Sequence, residues 1–249
     1  MRMYSGYASH TGNTREINQD AVFLDYMEKK GQYFALGAVC DGIGGMERGE
    51  LASAMIIGEV RKWFKEVNTW LDINTTNPAV LFAHLKDAAE IWNEKICDFK
   101  NQEDIRMGTT MSLLLILRDT YYIVHVGDSR IYRYHEDGME QLTMDACVAR
   151  ATSGGRFKNY LDNFMGKSRE LWFQSLEGKV RPGDMFLFCT DGLYHYLTTQ
   201  DLENVYQENR KKQELCDSCE RLANTMISRG ETDNISLGIF HFVAKRSWF

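Results

Sequence analysis

The sequence has only two prolines in 249 residues, and no apolar run approaches the roughly 18 residues that a membrane-spanning helix needs. Polar side chains interrupt the first twenty residues, whereas the core of a secretion signal is continuously apolar. Internal repeats and low-complexity linkers are also lacking. These absences favour a cytoplasmic protein with one domain over residues 1–249.

The cysteines are scattered without a zinc pattern, and positive charge is not in excess. The one close pair among the six cysteines is Cys216 and Cys219, which lie three apart in a helical pattern, and no second pair stands at zinc spacing. The formal net charge of −6 gives no general attraction to a polyanion. We therefore expect neither nucleic acid nor a membrane as a partner, and any phosphate must be bound by local groups.

Short apolar or β-branched runs bounded by turn residues predict strands. Only three residues separate the run Met111–Leu117 from the run Tyr121–Val126. Three residues are too few for a crossover helix, so these two runs are predicted to form an antiparallel hairpin. The predicted strands are Tyr33–Cys40, Met111–Leu117, Tyr121–Val126, Met185–Cys189 and Ile235–Phe242.

Apolar residues at helical spacing predict two long helices and two shorter ones. The first long helix covers Glu50–Val67, and the second begins at Pro78 with Asn77 as its N-cap and continues to Phe99. Thr198 and Asp201 resemble a capping box that opens a third helix, and Leu215 to Met226 marks a fourth. Helix pairs on the outer faces of two packed antiparallel sheets would bury all four apolar stripes.

Acidic residues stand beside several strand ends. Asp41 closes one apolar run and precedes a glycine-rich loop, where backbone can approach an ion closely. Taken alone, Asp41 could equally be the cap of the following helix. The pattern recurs, however, at Asp20, Asp128, Asp191 and Asp233.

Two nucleotide-binding interpretations of the glycine loop fail. Glu47 stands where a dinucleotide fingerprint needs its third glycine, and no Gly-Lys-Ser/Thr follows for a P-loop. Convergent carboxylates repel each other unless cations neutralise them, and oxygen ligands favour Mg²⁺ or Mn²⁺ over Zn²⁺. The residues therefore indicate a two-metal hydrolase.

Six motifs in this order resemble the metal-dependent protein phosphatases of the PPM family (type 2C) in its bacterial form. The motifs are Arg15 with Asn18-Gln19-Asp20, the run Val39 to Gly45 with Gly49-Glu50 and Ala52-Ser53, Gly108-Thr109-Thr110, Val126 to Arg130, Thr190 to Leu193, and Asp233 to Ser236. The resemblance extends from about Ser5 to Phe242. It implies an α+β fold, a four-layer αββα sandwich of two packed antiparallel sheets flanked by helix pairs.

The resemblance also implies an activity, the hydrolysis of phosphoserine and phosphothreonine in proteins by a water that bridges two Mn²⁺ or Mg²⁺ ions. The substrate would be a target of a serine/threonine kinase, or the kinase itself, in bacterial signalling.

Site roles follow from the matching positions. Asp41 would bridge the two ions, the Gly42 carbonyl would ligate one, and Asp191 and Asp233 would complete the other. Asp20 would hold metal-bound waters.

Two further roles follow in the same way. Asp128 and Asp191 would support a third, weaker ion. Arg15 would bind the substrate phosphate through its planar, bidentate fork.

Three departures from the family pattern leave alternatives open. Ile43 replaces a histidine found in many relatives, Gln19 replaces a glutamate, and Ala146-Cys147 replaces His-Ser before a short flap at about 146–170. A pseudophosphatase that binds phosphoprotein without turnover, or a hydrolase of small phosphoesters, therefore remains an alternative.

The remaining polar candidates are predicted to be structural or exposed, because none shows metal-ligand spacing or a nucleophile elbow. They are His10, His84, His125, His135, His195, His241, Ser129 and Ser236.

Overall fold

A computed structural model describes residues 1–151, 157–209 and 215–244 of the chain. The chain begins with three strands, β1 (Arg2–His10), β2 (Asp20–Lys29) and β3 (Gln32–Asp41). Two long helices follow, α1 (Gly49–Trp70) and α2 (Pro78–Gln102). The predicted helices agree with these bounds to within about three residues.

A series of strands comes after the two long helices. Its members are β4 (Met111–Leu117), β5 (Thr120–Val126), β6 (Arg130–His135), β7 (Gly138–Gln141), β8 (Cys147–Ala151), β9 (Phe157–Leu161), β10 (Gln174–Lys179) and β11 (Met185–Cys189). The C-terminal part contains α3 (Asp191–Tyr194), α4 (Thr199–Asn209), α5 (Leu215–Ser228) and β12 (Ile235–Val243).

The strands form two five-stranded antiparallel sheets. One has the order β1-β12-β11-β6-β7, which we call the first sheet, and the other has the order β10-β5-β4-β3-β2, the second sheet. The predicted hairpin is confirmed, because β4 pairs with β5 antiparallel from Met111↔Val126 to Leu117↔Thr120. β8 and β9 form a separate two-stranded sheet.

Three buried apolar layers hold these elements together. The helices α1 and α2 cover the second sheet, and α3 to α5 cover the first. Between the sheets lies a third layer rich in aromatic residues, in which Phe186 and Phe188 of β11 pack with Phe240 and Phe242 of β12. The predicted four-layer αββα sandwich is confirmed.

Both predicted helix starts have the expected capping contacts. The Asn77 side chain accepts a hydrogen bond from the Ala79 backbone N–H at 3.0 Å. At α4, Thr198 Oγ1 and the Asp201 carboxylate each accept from the other's backbone N–H, at 3.3 and 2.8 Å. These contacts satisfy N–H groups that have no partner within a helix.

The structure rejects one alternative, adds one helix and leaves the flap untested. Asp41 does not cap a helix, because α1 begins only at Gly49 with Arg48 at its N-cap. The short helix α3 was not predicted, and it begins at Asp191 directly after β11. The flap expected at about 146–170 contains β8 and β9, but residues 152–156 lie outside the described residues, so the flap and the single-domain boundary stay predictions.

None of the helices in the described part of the chain is both long enough and apolar enough to cross a bilayer.

Candidate active site

One cavity brings most of the predicted acids together. It has a volume of about 280 Å³ and lies at the ends of strands from both sheets. Its lining includes Arg15, Gln19, Asp41, Gly42, Ile43, Gly44, Thr110, Asp128, Leu161, Asp191 and Asp233. Asp20 does not line this cavity.

The position of Asp20 follows from the pairing of two strands. It begins β2 and is the register partner of Asp41, which ends β3. Its Oδ2 accepts a hydrogen bond from Thr190 Oγ1 at 2.8 Å. Thr190 immediately precedes Asp191, so this hydrogen bond ties the second sheet to the segment that carries another acid.

The backbone of Asp41 is fixed on both sides. Its N–H donates to Thr110 Oγ1 at 2.9 Å, and its carbonyl accepts from Thr109 Oγ1 at 2.8 Å. Both threonines belong to the motif before β4. Their hydroxyls therefore position Asp41, a role that the sequence analysis did not assign to them.

Gly42 is required by close packing of backbone. A Cβ atom there would lie 2.4 Å from the Gly49 carbonyl oxygen and 2.6 Å from the Gln19 carbonyl oxygen. The Gly42 N–H donates to that Gln19 oxygen at 3.0 Å. Any side chain would push apart the glycine-rich loop and the loop before β2.

Burial and mutual repulsion make the carboxylates costly to ionise. Burial, the largest cause, raises the pKa of Asp20 to about 7 and that of Asp191 to about 6. Burial followed by the charges of Asp20 and Asp191 raises the pKa of Asp41 well above its usual range. The pKa of Asp128 is also raised, first by burial and then by Asp145. Such a group of acids favours either protons or bound cations.

Arg15 lies at the rim of the cavity. Its Nη2 is 2.8 Å from Asp233 Oδ2, and its side chain is 44% exposed. Among the described residues of this predominantly acidic lining, the Arg15 guanidinium is the cation. It therefore combines access to solvent with an ion pair to a cavity acid.

Asn234 organises the loop that carries Arg15. Its Oδ1 accepts from the Gln19 N–H at 2.9 Å, and its Nδ2 donates to the carbonyls of Thr11 and Ile17 at 2.8 and 3.1 Å. Gln19 lines the cavity with a neutral side chain. The site thus has one carboxylate fewer than a glutamate would provide.

His195 and Glu231 lie next to the acids, which the sequence analysis did not predict. His195 Nδ1 is 3.1 Å from Glu231 Oε2, and His195 Nε2 is 3.9 Å from Asp191 Oδ2. The spacing of Asp191 and His195, four residues apart, could have suggested the contact only if α3 had been recognised. Glu231 gave no local signal.

The other histidines agree with the structural interpretation where contacts are present. His125 is buried and its Nδ1 is 2.8 Å from Ser112 Oγ. Burial lowers the pKa of His125 to about 4. His84 Nδ1 accepts a hydrogen bond from Trp63 Nε1 at 3.1 Å.

The segment β8–β9 forms one edge of the site. Leu161 at the end of β9 lines the cavity. Cys147 at the start of β8 has its Sγ 3.7 Å from Asp128 Oδ2. The paired ends of β8 and β9, Cys147 and Leu161, therefore lie beside the acids of the cavity.

The donor set fits hard divalent cations. Carboxylate and carbonyl oxygens are the ligands that Mg²⁺ and Mn²⁺ prefer, and the carboxyl pKa values, raised mainly by burial, mean that the ionised carboxylates need a neutralising partner. Among the described residues, however, no three His, Cys, Asp or Glu side chains already stand at distances that would chelate one ion. The acids are gathered, but bound ions and water would complete the coordination.

Comparison with known proteins gives consistent matches along nearly the whole chain. The sequence model of the Protein phosphatase 2C family matches residues 8–232. Protein phosphatase PhpP of Streptococcus pneumoniae is 28% identical over 243 residues, which cover 92% of this chain and 93% of that protein. Serine/threonine phosphatase stp of Listeria innocua is 27% identical over 256 residues, 94% of each.

The fold is shared with solved phosphatase structures. The S. agalactiae serine/threonine phosphatase superimposes with a TM-score of 0.78 at 24% identity, covering 98% of this chain and 100% of that one. Because the family match spans most of the sequence and the sandwich matches as well, the chain belongs to the protein phosphatase 2C family of metal-dependent protein serine/threonine phosphatases.

Proposed function

We propose that this protein hydrolyses phosphoserine and phosphothreonine in proteins at the acidic cavity, with two divalent cations, Mn²⁺ or Mg²⁺, as cofactors. The observation that supports this most strongly is the meeting of Asp41, Asp128, Asp191 and Asp233, from four separate segments, around one cavity with Arg15 at its rim. When bound, the two cations supply charge neutralisation and an activated water near neutral pH.

The chain's own groups divide into those that hold the cations and those that support them. Asp41, the Gly42 carbonyl, Asp191 and Asp233 would hold the two ions. Asp20, held by Thr190, would act through bound water. Asp128 with Asp191 would hold a third, weaker ion.

Arg15 would orient the phosphate by donating from both arms of its fork to two phosphoryl oxygens. Its present contact with Asp233 shows that the guanidinium already reaches the acidic centre. No residue needs to act as a covalent nucleophile, and Ile43 cannot protonate a leaving group. The proton for the leaving group would then come from solvent in the cavity.

The decisive experiment measures phosphate release from a phosphothreonine peptide by purified protein with Mn²⁺ and with EDTA. We expect Mn²⁺-dependent turnover that falls about a thousandfold in Asp41→Asn and Asp191→Asn, equivalent to ~4 kcal/mol of transition-state stabilisation. Asp119→Asn is the control, because Asp119 lies on the exposed β4–β5 turn. Its carboxylate pairs there with Lys179 at the end of β10.

Other outcomes separate the alternatives. Peptide binding without Mn²⁺-dependent turnover would indicate a pseudophosphatase and refute the proposal. A much higher kcat/KM for a small phosphoester than for phosphopeptides would indicate a small-molecule hydrolase. If the proposal holds, proteins phosphorylated by a serine/threonine kinase, or the kinase itself, are the substrates to test next.

A further inference from the structure

The two residues beside the acidic centre, His195 and Glu231, connect segments that are far apart in sequence. Glu231 follows α5 and its backbone N–H donates to Met226 O at 3.1 Å, which places its side chain in the turn before β12. This side chain is only 5% exposed. A buried carboxylate is tolerated when donors satisfy its oxygens, and here they do.

Each carboxylate oxygen of Glu231 has a different task. Oε1 accepts the backbone N–H groups of Thr232 and Asp233 at 2.7 and 2.8 Å. Oε2 lies 3.1 Å from His195 Nδ1. Because an ionised carboxylate can only accept, Nδ1 of His195 is the donor in this contact.

His195 reaches the same centre from α3. Its backbone N–H donates to the Asp191 carbonyl at 3.1 Å, and its Nε2 lies 3.9 Å from Asp191 Oδ2. Glu231 therefore contacts the backbone of the Asp233 segment through one oxygen and the imidazole that flanks Asp191 through the other. The two acid-bearing segments are tied together through a single side chain.

The segments that carry Asp191 and Asp233 are also in direct contact with each other. A Cβ at Gly192 would lie 2.1 Å from the Asn234 carbonyl oxygen, so the segment after Asp191 touches the segment after Asp233. A small change in the angle of either backbone would alter the distance between the two carboxylates. Partners of this kind around ligating groups fix ligand orientation.

We propose that Glu231 and His195 are positioning residues that fix the distance between the Asp191 and Asp233 carboxylates. They thereby set the affinity of the site for divalent cations. This inference rests on the proposed function only in taking those two acids as cation ligands. Neither residue contacts the substrate in this role, and both act through the acids that they orient.

The experiment is isothermal titration calorimetry of Mn²⁺ into metal-free protein, with variants confirmed to be folded by circular dichroism. Glu231→Ala and His195→Ala should each weaken Mn²⁺ binding about 10- to 100-fold. The double variant should bind no more weakly than the weaker single variant, because both changes break the same connection.

Rescue and control variants distinguish positioning from a general loss of stability. His195→Asn keeps an N–H donor near the Nδ1 position and should recover most of the affinity. Glu231→Gln keeps the size of the side chain and is the test variant if Glu231→Ala does not fold. We expect Glu231→Gln to bind Mn²⁺ about tenfold more weakly than the wild type does. Glu208→Gln, in the exposed pair with Arg221, should bind like the wild type.

Folded variants that bind Mn²⁺ within about twofold of wild type would overturn the proposal, as would losses that multiply in the double variant. Either result would leave the proposed hydrolysis standing. Conversely, a wild-type protein that binds Mn²⁺ but releases no phosphate would refute the proposed function. The effect of the Glu231 and His195 variants on Mn²⁺ affinity could still be measured in that case.

Discussion

At the scale of single residues, the site depends on side chains that fix other side chains. The Thr109 and Thr110 hydroxyls hold the backbone of Asp41, and the Thr190 hydroxyl holds the carboxylate of Asp20. These hydrogen bonds hold Asp41 and Asp20, which are register partners at the ends of β3 and β2. Under the proposed function, bound cations would relieve the repulsion between the acids.

Arg15 offers a test at this scale. Arg15→Lys keeps the positive charge but removes the planar fork, so we expect kcat/KM for a phosphopeptide to fall about 10- to 100-fold, mainly through KM. Steady-state kinetics with Mn²⁺ measures the effect. Arg221→Lys on the exposed α4–α5 surface is the control, and an Arg15→Lys enzyme with unchanged kcat/KM would contradict the assigned role.

At the scale of elements, the start of α4 combines a capping box with an ion pair. Asp201 accepts from Thr198 and from both Nη atoms of Arg229, at 2.6 and 2.7 Å. The hydrogen bond from Arg229 is the main cause that lowers the pKa of Asp201 to about 2. A carboxyl whose pKa is lower in the folded than in the unfolded protein stabilises the fold above its unfolded pKa.

We therefore predict that Asp201→Asn lowers the free energy of unfolding by about 1 kcal/mol at pH 7, a figure reduced for solvent screening. The difference from wild type should shrink as the pH falls from about 4 to about 2, where the Asp201 carboxyl takes up a proton. Urea denaturation across this range measures it. Asp217→Asn, in the exposed first turn of α5, should show no such trend.

The contact between the two sheets depends on a glycine. A Cβ at Gly37 of β3 would lie 2.4 Å from the ring of Phe188 on β11 and 3.0 Å from that of Phe240 on β12. Both rings belong to the layer between the sheets, and both are fully buried. They can move only by disturbing the rest of that layer.

Gly37→Ala should consequently reduce the free energy of unfolding by about 1–3 kcal/mol through overpacking. Gly58→Ala in α1 is the matched change, because nothing lies within 4 Å of the added methyl group. It should stabilise the protein by ~1 kcal/mol, since alanine is a better helix former than glycine. Equal effects of the two substitutions in urea denaturation would contradict this account of the sheet interface.

At the scale of the whole molecule, the fold gathers a group of acids where strands of the two sheets end. A cation that binds only the folded state adds RT ln(1 + [L]/Kd) to the stability, about 2.7 kcal/mol at a hundredfold excess over Kd. For a domain of this size each kcal/mol corresponds to roughly 2–4 °C in Tm.

Saturating Mn²⁺ should accordingly raise the Tm of the metal-free protein by about 5–10 °C. Asp41→Asn should lose most of this increase, and Asp119→Asn should retain it. Differential scanning calorimetry with and without EDTA provides the measurement. A wild-type Tm that does not respond to Mn²⁺ would argue against cation binding in the cavity.

Several elements could be predicted from local sequence because their residues are buried on all sides. β4 and β11 are entirely buried, so their continuous apolar runs identified them. β10 alternates between half-buried and exposed residues at a sheet edge, and β8 and β9 pair only with each other. These three strands depend on partners more than on their own composition, so the sequence did not reveal them.

The sequence by itself determined the sandwich and its four longer helices, because apolar periodicity is a local property of the chain and the ordered motifs resemble one family; the same motifs supplied the candidate acids. Only the tertiary structure decided that the Asp20 carboxylate accepts a hydrogen bond from Thr190 and does not line the cavity, and that His195 and Glu231 flank the acids. Glu231 and His195 are 36 residues apart in the chain. Contacts over such separations arise from sheet register and from the turn that ends α5, and no local pattern encodes them.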